Sequence, residues 1–217
     1  MTFSATLRAD TMADHQVANG AEFVRALFDQ RLSLAGFAAL VAQHYFIYRV
    51  LEEASDAMAD DAVAGPFASP ELRRLPALEQ DLAHLYGPEW ASIVEPSPAT
   101  VAYTDRLREV AFTWPGGFVA HHYTRYLGDI SGGQAVGAVT ERQHGIVDHA
   151  GTQFYVFDRI PDRKSFKARY HELLNTAPWD SAERERVIEE SRIAYRHNSA
   201  VFTDLERHLP QYLVATG

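Results

Sequence analysis

Along most of the chain, apolar positions recur with the period of an α-helix rather than of a strand. In residues 4–18, Leu7, Thr11 and His15 fall at i, i+4 and i+8, which predicts a first helix with a histidine on its inner stripe. A second helix is expected from Ala21 to Arg31, with Phe23, Leu27 and Phe28 apolar and Arg25 and Asp29 facing away. The stretch SLAGFAALVAQHYFIYRVLEEASDAMADD is the longest amphipathic segment, and Ser33 is placed to cap it. AGPFASPELRRLP reads as a proline-punctuated loop holding one short helix. ALEQDLAHLYG is helical and stops at Gly87-Pro88.

Helical patterning resumes at SPATVAYTDRLREVAFTW, with Ser97 as cap and Pro98 in the first helical position. Residues 118–145 continue it. GIVDHAGTQFYVFDRIPD alone has a strand-like character. RKSFKARYHELLN and SAERERVIEESRIAYRHNSAVFTDLERHL predict the last helices, the latter opening on a charged first turn after Ser181. No repeat, low-complexity segment or shift in composition divides the chain. The pattern predicts one all-α domain over residues 1–217, built from roughly eight helices.

Composition narrows the chemistry. Apolar residues make up 47% of the 217, enough for a substantial core. The net charge of −9 argues against nucleic acid as a partner. It also means that an anionic ligand must find a local basic cluster. Lysine occurs only as Lys164 and Lys167. With no cysteine, thiolate metal sites, iron–sulfur clusters and a cysteine nucleophile are excluded. The N-terminal MTFSATLRADTMADH lacks the apolar region of a secretory signal, and LERHLPQYLVATG is too short and polar for a membrane anchor. The expectation is a soluble cytoplasmic protein with no bilayer-spanning run.

One segment departs from ordinary helix composition. YTRYLGDISGGQAVG places Gly128, Gly132 and Gly133 in a helical context, with Asp129 and Ser131 between them. Each glycine costs a helix interior about 1 kcal/mol relative to alanine. A phosphate loop needs a preceding strand and a following Lys, and neither is present. Two readings remain. The glycines permit close packing of another helix, or they leave one face bare for a flat ligand, with Gly133 easing a bend.

The ten histidines give weaker signals, and most read as helix-face residues. His15 stands out by its place on an apolar stripe. A di-iron carboxylate bundle requires two Glu-x-x-His motifs, and only Glu141–His144 is found. No zincin or Gly-x-Ser-x-Gly motif occurs, and Ser131 has no evident base partner.

Taken together, AHHYTRYLGDISGGQ closely resembles the distal-helix signature of the heme oxygenases. TMADHQVANGAEFVRAL is similar to the family's proximal segment, with Ala18 three residues after His15 and an acidic-Phe pair beyond. FIYRVLEEA, ELRRLPALEQDLAHLYGPEW and RVIEESRIAY…N…VF match further family segments in the same order, so the resemblance runs from about Leu7 to Leu209. It implies a single all-α domain with haem between a proximal and a distal helix. The implied activity is oxidative opening of haem to biliverdin, with carbon monoxide and ferrous iron released. O2 and external electrons are consumed, and the α-meso carbon is the family's default position.

The resemblance also assigns residues. His15 matches the proximal iron ligand. Gly128 and Gly132 match the distal glycines, and Asp129 the carboxylate that orders water there. Tyr48, Arg125 and Asn198 match members of the polar network, with Ser131 beside them. Arg8, Tyr123 and Lys167 match groups that hold the propionates. A ferredoxin or flavin-dependent reductase is implied as electron donor, docking on a basic patch around Arg8, Lys164, Lys167 and Arg125.

Three positions depart from the family pattern. Asn19 stands where a Glu usually contacts the proximal imidazole; an amide there accepts a hydrogen bond but leaves the iron less electron-rich. Met12 and His171 stand where basic residues are common. A His171 only partly protonated near neutral pH implies weaker or pH-dependent haem binding. The rival readings are a haem carrier or sensor without turnover, and a helical relative with another ligand, such as a thiamin-salvage protein.

Overall fold

The computed structural model describes residues 1–214. Among these no strand forms, apart from one isolated antiparallel bridge between Leu32 and Leu213. The helices are α1 (Phe3–Asn19), α2 (Glu22–Phe28), α3 (Leu34–Ala57), α4 (Leu75–Tyr86) and α5 (Pro98–Val110). They continue with α6 (Pro115–His122), α7 (Gln134–His144), α8 (Arg163–Thr176), α9 (Ser181–Glu206) and α10 (Leu209–Tyr212). Two π-helical turns, Tyr123–Leu127 and Asp129–Gly133, join α6 to α7.

Local chemistry sets most of these boundaries. The Ser33 hydroxyl accepts from the Gly36 amide at 3.3 Å, and Ser97 accepts from Thr100 at 3.2 Å, so both caps act as their sequences predict. Gly87 ends α4 at φ +87°. The cap of α9 is Asp180, which accepts from the Glu183 amide at 2.8 Å, one residue before the expected start. α2 stops short of the expected end at Arg31 because Gln30 takes a left-handed conformation, φ +58°. The proline loop holds two short 3₁₀ turns, Gly65–Phe67 and Pro70–Leu72, rather than one helix.

The strand-like segment 145–162 is not a strand. Asp148, His149 and Gly151 all have positive φ, which breaks any extended run. Its apolar residues are buried through a 3₁₀ turn at Gln153–Tyr155 instead. That turn is tied to α4 by Asp81, whose carboxylate accepts from the amides of Gln153 and Phe154, each at 2.8 Å. Burial pushes the Asp81 pKa up to about 6 despite these bonds.

α3 runs through the centre of the molecule and packs against α4 and α5, while α1 lies along α9 and α6 also packs on α9. By length and hydropathy α3 is apolar enough to cross a membrane, contrary to the expectation that no run is. Its most apolar window is 72% buried by other helices, so that apolarity belongs to the core.

Three histidines expected on helix faces are core residues: His44, His121 and His122. His121 Nε2 lies 2.9 Å from Glu190, which also takes Arg106 Nε at 2.9 Å. Burial opposes the Glu190 charge, but these two partners win and hold its pKa at about 2. The cluster fastens α5 and α6 to α9. His122 Nδ1 pairs with the Tyr170 hydroxyl at 2.8 Å, and burial keeps that ring neutral down to about pH 3.

Candidate active site

A cavity of about 710 Å³ opens between α1 and the π-helical segment, with α2, α3, α8 and α9 contributing to its walls. This lies within the roughly 300–1,000 Å³ typical of ligand sites. Its two long faces differ in kind: α1 presents His15, and the π-helical segment presents bare backbone.

The bare face follows from the glycines. A Cβ built on Gly128 or Gly132 meets no protein atom within 4 Å, so both open onto the cavity. A Cβ on Gly133 would sit 3.0 Å from the Tyr155 ring, and one on Gly137 would sit 3.1 Å from Tyr155 Cβ. The first pair therefore leaves space for a ligand, and the second permits close packing inside the protein. The wider π turns are a local departure that recurs at functional sites.

Asp129 lies between the open glycines. The Tyr48 hydroxyl donates to Asp129 Oδ2, and desolvation by burial drives the Asp129 pKa well above the ordinary carboxylate value. The side chain thus favours its protonated form. Tyr48 is fully buried behind Asp129 and does not itself reach the cavity. The Arg125 guanidinium sits 5.0 Å from the centre of the Tyr48 ring, and its Nη1 donates to Asn198 Oδ1 at 2.8 Å. Arg125 Nε and Nη2 are buried without a partner.

On the opposite face Leu7 and Thr11 turn into the core and His15, half-buried, into the cavity, as the i, i+4, i+8 stripe predicts. The Tyr195 ring meets the His15 ring edge-on at 5.7 Å. Burial and the Arg8 charge lower the His15 pKa, favouring the neutral imidazole. Asn19 does contact this ring, its Nδ2 lying 3.3 Å from His15 Nε2.

The rim carries the cations. Lys167 Nζ donates to Ser131 Oγ at 3.4 Å, bridging α8 to the glycine segment, and Arg8, Tyr123 and His171 complete the same edge. Burial, with the charges of Lys167 and Arg8, lowers the His171 pKa below 6.5, so the ring is neutral at pH 7. An anionic group beside it favours the protonated ring. Binding of an anion there should therefore take up a proton and tighten as pH falls from neutral. His171→Arg should flatten this dependence and tighten binding at pH 7 by a few-fold, since an exposed pair contributes about 0.2–1 kcal/mol. Titrations at several pH values measure both effects.

The cavity thus gathers every residue that the resemblance assigns to the haem site except Tyr48, which stands directly behind it. One expectation fails. Arg125 is enclosed in the polar network, so it cannot belong to an external docking patch. Tyr155 and His44 are among the lining residues that were missed. Tyr155 lies in the segment misread as strand-like. His44 follows Leu40 and precedes Tyr48 at four-residue spacing, the same signal that exposed His15.

The heme oxygenase family model matches residues 1–204. Heme oxygenase 1 of Synechocystis sp. is 37% identical over 209 residues, covering 96% of this chain and 87% of that protein. The crystal structure of heme oxygenase-1 from the same organism in complex with heme superposes with a TM-score of 0.92 at 37% identity, covering 97% and 95% of the two chains. Heme oxygenase from Leptospira interrogans gives a TM-score of 0.89 at 32% identity, covering 94% and 99%. With the family model spanning nearly the whole sequence and the fold shared from end to end, the chain belongs to the heme oxygenase family.

Proposed function

We propose that this heme oxygenase seats haem in the cavity between α1 and the glycine segment, with His15 as the ligand to its iron. The ring opens at the α-meso carbon to give biliverdin, carbon monoxide and ferrous iron. The observation that carries this reading is the pairing across one cavity: a neutral imidazole on one face, and on the other a bare backbone with a partly buried carboxyl between its two open glycines.

The residues present fit a porphyrin. A neutral imidazole suits haem iron. Gly128 and Gly132 leave a flat face that any Cβ would begin to fill. Arg8 and Lys167 supply the positive charge that propionates need on an acidic protein. When bound, haem supplies both the iron at which O2 is activated and the ring that is oxidised.

The protein's own part is geometric and electrostatic. Gly128 and Gly132 admit a small ligand close to the backbone and restrict it on the remaining sides. Asp129, fixed by Tyr48, holds a proton beside that space and orders water there. Arg125 keeps Nε and Nη2 free of protein partners while Nη1 is anchored on Asn198, which leaves it donors for the same water. Tyr195 packs on His15 and fixes the plane of its ring.

Electrons come from outside the chain, from a ferredoxin or a flavin-dependent reductase. With Arg125 internal, the docking patch reduces to Arg8, Lys164 and Lys167, and Lys164 is exposed. Lys164→Glu should slow reductase-supported turnover at low salt and leave ascorbate-supported turnover unchanged. Equal reductase rates for both proteins across a salt series would exclude Lys164 from the patch.

The reading as a whole is tested by adding haem, then a reductant in air, and following absorbance. Loss of the haem bands with appearance of a bilin is expected. Stable haem bands would leave the protein a carrier or sensor.

A further inference from the structure

His44 is a buried titratable side chain at this cavity that the roles above leave unused. It stands on α3 one turn before Tyr48, its ring edge-on to Tyr48 at 6.4 Å and tilted against Phe154 at 5.1 Å. These aromatic neighbours hold the ring in place. Nδ1 is enclosed and has no hydrogen-bond partner. Since the residue lines the cavity, Nε2 is the polar atom left to meet it. Leaving a buried polar atom unpaired costs about 1–3 kcal/mol. A leucine or phenylalanine would fill this apolar position without that cost.

The tautomer follows from the surroundings. Burial, reinforced by the Arg125 charge, holds the His44 pKa well below 6.5, so the ring is neutral and has a single N–H. Nδ1 has no acceptor to receive a proton. A bare lone pair is tolerated there more readily than an orphaned N–H. The hydrogen therefore sits on Nε2, directed to the space that Asp129 and Arg125 also face.

We propose that His44 is a positioning residue of the distal pocket, presenting Nε2–H as a hydrogen-bond donor to the oxygen ligand or water held between Arg125 and Asp129. The inference rests on haem occupying this cavity with His15 beneath it. His44 adds a neutral donor to a group that already has a cationic one, Arg125, and an acid, Asp129.

The test uses the full chain and two variants, His44→Leu and His44→Gln. In the haem-free protein, long-range ¹H–¹⁵N NMR reads the tautomer directly. A neutral Nε2–H ring at pH 7 is expected, and an Nδ1–H or charged ring overturns the proposal. In the ferrous carbon monoxide complex, loss of the donor should move the C–O stretch to higher frequency in His44→Leu. His44→Gln, whose amide can donate, should return it toward the starting value. An unchanged band in both variants overturns the proposal. So does a low-spin bis-imidazole spectrum of the parent that vanishes in His44→Leu, because His44 would then be a ligand. A parent complex lacking the proximal imidazole signature would instead fail the His15 reading, which separates the two claims.

Discussion

His15→Ala should bind haem without the imidazole-ligated spectrum, and added imidazole should restore that spectrum. Bilin formation should fall by at least roughly 10–100-fold, because partners one shell further from a metal are already worth that much. The fold should survive. His15 is half-buried, its contact with Tyr195 is an edge of the cavity rather than of the core, and alanine is the best residue for a helix interior. Thermal unfolding of the haem-free variant close to that of the parent would confirm that the loss is one of ligation. An unchanged absorption spectrum would mean that another side chain holds the iron.

Asp129 carries the second large effect, and two substitutions separate its roles. Asp129→Ala removes the acceptor of the Tyr48 hydroxyl and leaves that buried group unpaired, at about 1–3 kcal/mol. Asp129→Asn keeps an acceptor for Tyr48 but cannot hold the proton. Both should bind haem and both should lose ring opening by roughly 100-fold or more, the range for a positioned acid. Peroxidase-like oxidation of added phenols should rise in its place. Only the alanine variant should also be less stable. Parent-like bilin yield from Asp129→Asn would show that the carboxyl works as an acceptor alone and that its raised pKa is incidental.

Much of the fold could be read from local signals. Ser33, Ser97 and Gly87 set helix ends where the sequence places them, because capping and left-handed turns depend on neighbours within four residues. The segment around Phe154 could not be read this way. The aromatic and β-branched run at residues 154–157 has the composition of a strand, yet its burial comes from positive-φ turns and from Asp81, about seventy residues earlier.

The glycine segment shows how far local reasoning reaches at the site. From composition it admitted two readings, helix packing and a flat ligand. The structure divides them by position, with Gly133 against Tyr155 and Gly128 and Gly132 on open space. No spacing rule distinguishes these, because the difference lies in what packs opposite. Arg125 was assigned both to the polar network with Asn198 and to a surface patch, and its burial against Asn198 leaves only the first. His44 was different. Its four-residue spacing between Leu40 and Tyr48 was visible, but ten histidines diluted the signal.

The arrangement has a cost that is consistent with function. Unpaired polar atoms on His44 and Arg125, a partly buried carboxyl and glycines inside a helix each lower stability locally. These border one cavity, and of the unpaired buried side-chain atoms among the described residues only Arg184 Nε lies away from it; the buried ionic cluster of Arg106, His121 and Glu190 is paired. Concentration of unsatisfied groups at one place is expected where a ligand completes them.

The central claim is that haem lies between His15 and the open glycines, and a crystal structure of the haem complex tests it most directly. The account predicts iron bonded to a ring nitrogen of His15, with Gly128 and Gly132 against the opposite face of the porphyrin and Lys167 at a propionate. Iron bonded to any other side chain, or a porphyrin seated outside this cavity, would contradict it.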